Sequence, residues 1–146
     1  MNLADSLRVD TACTIAFAGA GGKTTAMFNL ARNLTGPVFL TTTTHLGAGQ
    51  VSLADKHFIA GSQDDLATCL QDLPPGVYLV TGSITPDDRA SALTGDCLEW
   101  LRSFCRSHAY FLLVEADGSK RLPLKAPAEH EPAIPAWADV VLYVAG

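Results

Sequence analysis

The segment Gly19-Ala20-Gly21-Gly22-Lys23-Thr24-Thr25 constrains this chain more than any other stretch. It follows a short apolar run over 13–18. It opens a run in which Met27, Leu30, Ala31 and Leu34 recur at helical spacing. A strand that enters a glycine turn and leaves as a helix with Lys-Thr at its start is the setting a P-loop requires. Glycines let the backbone turn tightly and point N–H groups inward. The helix beginning near Lys23 adds the positive end of its dipole. Lys23 is suited to bridging β- and γ-phosphates, and the Thr24 hydroxyl to ligating Mg²⁺. Gly19, Ala20, Gly21, Gly22, Lys23, Thr24 and Thr25 are therefore the expected binding residues for ATP or GTP with Mg²⁺. The common pattern G-x-x-x-x-G-K-[ST] would want glycine at position 17, where this chain has Phe17.

The shorter form, G-x-x-G-K-T-T, resembles the loop of the Mur ligases and folylpolyglutamate synthetases, which are P-loop enzymes. A second motif supports the same chemistry. The apolar run over 110–114 ends in Glu115-Ala116-Asp117, as a Walker B strand does. Strand residues alternate faces, so Glu115 and Asp117 point the same way and join Thr24 as expected metal residues. Lys23, Asp117 and Lys120 are the expected catalytic set. The carboxylate would orient water or metal, and Lys120 or Arg121 would stabilise a transferred phosphoryl group. Thr41-Thr42-Thr43-Thr44-His45 closes another strand candidate. Its hydroxyls fit simple β-propensity, or a place at the crevice for Thr43, Thr44 and His45. Glu129-His130-Glu131 reads as a solvated loop, since one histidine is weak support for a metal.

Along the rest of the chain, strands are expected over 38–43, 57–60, 77–81 and 140–145. Helices are expected over 63–73 and 97–108, with weaker signals over 51–56 and over 86–93, where Thr85 would be the N-cap. Strands alternating with helices predict an α/β domain of P-loop NTPase type: three layers around a mainly parallel sheet, one domain over 1–146. The proline-rich segment 118–136 is too long for an ordinary connection, and reads as a lid or partner surface. The chain stops at Gly146 on an apparent strand, where a doubly wound domain would send a helix back. That suggests C-terminal truncation.

Apolar residues make up 48% of the chain, enough for a buried core, and the net charge of −5 argues against a general nucleic-acid binder. Neither a signal peptide nor a membrane-length apolar stretch is visible. Cys13, Cys69, Cys97 and Cys105 form no C-x-x-C pair. Cys13 and Cys69 read as small core residues, and reduced thiols fit a cytoplasmic protein.

Taken together, the glycine loop, Leu40-Thr-Thr-Thr-Thr-His45, Val114-Glu-Ala-Asp-Gly-Ser-Lys120 and Leu124-Lys-Ala-Pro-Ala-Glu-His-Glu-Pro132 resemble the YqeC-type proteins. These are described as accessory proteins of selenium-dependent hydroxylases. The resemblance implies a P-loop NTPase fold. It also implies a role in maturing molybdenum hydroxylases, with such an enzyme or its maturation factors as partners. A Mur-like ligase, a small-molecule kinase and a nucleotide-gated binding module without turnover remain alternatives on the residues alone.

Overall fold

The computed structural model describes residues 2–9, 11–116 and 134–145. Helix α1 (Leu3–Leu7) opens the chain, and Asn2 and Asp5 cap it reciprocally. Strand β1 (Thr14–Gly19) leads through the glycine loop to α2 (Lys23–Ala31) and β2 (Pro37–Thr42). A short excursion follows, β3 (His45–Gly47) and α3 (Ala48–Val51), before β4 (Lys56–Ile59), α4 (Gln63–Cys69) and β5 (Gly76–Thr81). The chain then forms β6 (Arg89–Ser91), α5 (Gly95–His108), β7 (Phe111–Glu115) and β8 (Val140–Val144).

Six strands form one sheet in the order β4-β5-β2-β7-β1-β8, with every pairing parallel. Parallel strands need crossover connections, so the apolar faces of the helices end up against both faces of the sheet. Alternation sorts the side chains. Ile15, Phe17, Val38, Leu40, Leu79 and Leu113 pack with Met27 and Leu30 of α2. Phe39, Val80, Leu112 and Val114 pack on the other face with Leu66 of α4 and Leu101 and Cys105 of α5. The result is the expected α/β architecture: a parallel sheet between two helical layers.

Two local expectations fail. The weak helix over 86–93 is absent. Asp88 takes a left-handed backbone (φ 60°), and the Thr85 hydroxyl accepts from the Arg89 N–H, so the segment turns back as a hairpin. Its return strand β6 pairs antiparallel with β3, and this ribbon sits on the sheet through buried Leu46 and Ala90. The helix expected over 51–56 is the shorter α3, which shares only Val51 with that range. Of the four cysteines, all free thiols, the buried ones are Cys97 and Cys105 on α5, while Cys13 and Cys69 are half-buried. Among the described residues, no helix is long and apolar enough to cross a membrane.

Candidate functional site

The carboxyl ends of β2, β7 and β1, adjacent in the sheet, bring Lys23, Thr24 and Glu115 of the expected residues together, at the edge where ligands of open α/β sheets bind. The turn out of β1 is built around two glycines with positive φ, Gly19 (108°) and Gly22 (95°). The Ala20 N–H donates to the Val144 carbonyl at 2.7 Å, which fastens the loop to β8. A Cβ at Gly19 would run into that carbonyl, so only glycine fits there. Gly22 is the N-cap of α2 and supplies no side-chain cap. The helix thus begins with its orphan N–H groups served by nothing from the cap residue's side chain.

Lys23 is buried, and its Nζ donates to the Gly19 carbonyl at 3.0 Å, folding the ammonium back over the loop. Thr24 is buried one residue on, whereas Thr25 is exposed. The Thr24 hydroxyl donates to Glu115 Oε2 at 2.6 Å, and it accepts from Gln50 Nε2 at 3.1 Å. Glu115 is buried, with 8% of its surface exposed, at the end of β7. Burial pushes its pKa up, and the Thr24 hydroxyl and the Lys23 charge pull it back down. A nearly buried carboxylate beside a buried hydroxyl is a pair of hard oxygen donors, and it suits a hard cation such as Mg²⁺. Among the described residues no group of three or more His, Cys, Asp and Glu gathers that could hold a metal. Further ligands would then come from phosphate oxygens and water.

The threonine run divides by role. Thr41 donates to the Val80 carbonyl inside the sheet. Thr42 Oγ1 donates to the Glu115 carbonyl at 3.2 Å and accepts from the Thr44 N–H at 3.1 Å, so it holds the strand ends together. Thr43 N–H also donates to the Glu115 carbonyl, at 3.0 Å. His45 is exposed on the ribbon opposite Ser91. Asp117, Lys120, Arg121, Lys125, His130 and most of the segment 118–136 lie outside the described residues.

Gln50 is the site residue the sequence did not reveal. It lies 26 positions from Thr24 in a segment with weak periodicity, and only the β3–α3 excursion brings it to the loop. Its place just after the threonine run was the single clue. A shallow groove of about 420 Å³ at the opposite, amino end of the sheet, lined by Ala31, Arg32, Gly36 and Pro75, is unconnected with these residues.

The family described as YqeC protein matches residues 15–146. The chain is 32% identical over 137 residues to an Escherichia coli (strain K12) protein described as "Uncharacterized protein YqeC". That match takes in 90% of this chain and 51% of the relative, so the chain spans about half the relative's length. No solved structure matches the chain. The chain belongs to the YqeC family.

Proposed function

We propose that this YqeC-family chain binds the triphosphate of ATP or GTP with Mg²⁺ on residues 19–25. The observation that carries the reading is the buried contact between the Thr24 hydroxyl and Glu115, one residue beyond Lys23 at the start of α2. The loop N–H groups and the α2 dipole would receive phosphate oxygens. Lys23 would leave the Gly19 carbonyl and meet the β- and γ-phosphates, where its charge is better matched. Thr24 and Glu115 would hold the cation, which supplies charge neutralisation on the phosphates when bound. Glu115 takes the Thr24 proton, so what the hydroxyl offers a cation is a lone pair.

The wider role we propose follows from family resemblance: nucleotide-dependent assistance in maturing selenium-dependent molybdenum hydroxylases, in the cytoplasm. Hydrolysis or transfer would add Asp117 and Lys120, and loss of turnover with retained binding in Asp117→Asn tests that step.

Thermal unfolding with ATP, GTP or CTP, with and without Mg²⁺, tests the binding claim. A ligand at ~100 times its dissociation constant adds about 2.7 kcal/mol, or roughly 5–10 °C in a domain of this size. Lys23→Ala should lose most of that shift while remaining folded. An equal shift in the variant would remove Lys23 from the phosphate site.

A further inference from the structure

Gln50 is tied at both ends of its side chain. Its Oε1 accepts from the Gly47 N–H at 3.0 Å, and its Nε2 donates to Thr24 Oγ1 at 3.1 Å. The Gly47 N–H fixes which end is which, because only the amide oxygen can face a donor. The Thr24 hydroxyl has one proton and two lone pairs. The proton is committed to Glu115 and one lone pair to Gln50. A hydroxyl that ligates a cation must turn a lone pair to it. An N–H donated to the same oxygen brings partial positive charge to the same place.

We infer that Gln50 is a placeholder that occupies the Thr24 hydroxyl where the cation would sit, and that loading the site releases Gln50 and with it the first turn of α3. The inference rests on the phosphate reading and deepens it by naming the element that reports occupancy. Its consequence follows from the amide itself. Both Gln50 contacts belong to one planar group, so swinging it away or turning Oε1 toward the site breaks the Gly47 contact as well. Apart from this amide, α3 is held through half-buried Val51, which packs against the core. It has four residues and none fully buried, and a helix that short does not stand alone. The release is bounded on one side by Leu46, which is fully buried and paired with Ala90 in the ribbon. The moving unit is therefore residues 47–50, between buried Leu46 and the packed Val51.

Amide hydrogen exchange of the full chain by NMR tests this. The arms are free protein, ATP or GTP with EDTA, and ATP or GTP with Mg²⁺. With Mg²⁺ and nucleotide, the amides of residues 21–25 should gain protection while the Gly47 amide loses it by roughly tenfold, the scale of one hydrogen bond. With EDTA the Gly47 amide should exchange as in the free protein. In Gln50→Ala it should exchange fast without ligand and change no further, and nucleotide binding should need severalfold less Mg²⁺. Protection of residues 21–25 with Gly47 unchanged or more protected overturns this inference alone. So does a Gln50→Ala variant that needs more Mg²⁺, which would make Gln50 a ligand. No protection of residues 21–25 with any nucleotide overturns the phosphate reading, and this inference with it.

Discussion

Glu115 is a carboxylate kept in a buried place where a neutral side chain would be more comfortable. Its folded pKa is raised, chiefly by burial, so the folded state holds its proton more tightly than the unfolded chain does. Stability therefore falls as pH rises from the ordinary carboxylate range through the raised folded value. Glu115→Gln should unfold at higher temperature than the parent at pH 7–8, because the amide oxygen can still accept from Thr24 without a charge to desolvate. The advantage should fade as pH falls below the unfolded carboxylate value, near 4.5. The same variant should lose the Mg²⁺ dependence of nucleotide binding, which calorimetry with and without EDTA would show. A stability cost at pH 7 would mean that the charge is better compensated than its surroundings suggest. Such a trade of stability for a site is a common reason for burying a charged group.

At the scale of elements, the loop's glycines separate fold from function. Gly19 has a left-handed backbone and no room for a Cβ against the Val144 carbonyl. Gly19→Ala should cost about 2 kcal/mol or more in urea unfolding. Gly21 has open space around a Cβ, so Gly21→Ala should leave stability within about 0.5 kcal/mol. If the loop closes on phosphate, that methyl should still weaken nucleotide binding by roughly tenfold or more. The loop and its flanking elements were legible because each rule points the same way there: apolar run, glycines, then helical spacing. The inner strands β1, β2, β5 and β7 were legible for the same reason, being short apolar runs buried on both faces. The ribbon was not. Arg89-Ala90-Ser91 is too short and too polar to read as a strand, and its pairing with β3 comes from a turn at Asp87-Asp88 that Thr85-Pro86 disguises as a helix start. Helix α1 was overlooked although Asn2 and Asp5 carry a cap signal. Glu115 could be named from its strand. Gln50 could not, because its contact with Thr24 depends on how that ribbon folds.

Across the whole molecule, a second pH-sensitive group lies away from the loop. Residues 19–25 and Glu115 gather at the carboxyl edge of the three strands β2, β7 and β1, while the far edge strand β4 carries His57. Thr81 Oγ1 gives its proton to the Gly82 carbonyl, so His57 Nε2 is the donor in their 2.7 Å contact. Burial lowers the His57 pKa, so below about pH 6.5 the unfolded chain takes up a proton that the folded chain resists. Stability should therefore be fully present above that pH and fall as the solution is acidified, and His57→Gln should flatten the slope of urea midpoints between pH 5 and 8. That slope is independent of nucleotide, which separates it from anything happening at the loop. If residues 19–25 receive the triphosphate, amide chemical-shift mapping during titration with ATP or GTP and Mg²⁺ will register it at the loop. The amides of Gly21, Gly22, Lys23, Thr24 and Thr25 should move first and furthest, and Lys23→Ala should suppress the movement. Stationary loop amides at saturating nucleotide, or largest shifts at Gly36 and Gly76 in the opposite groove, would contradict it.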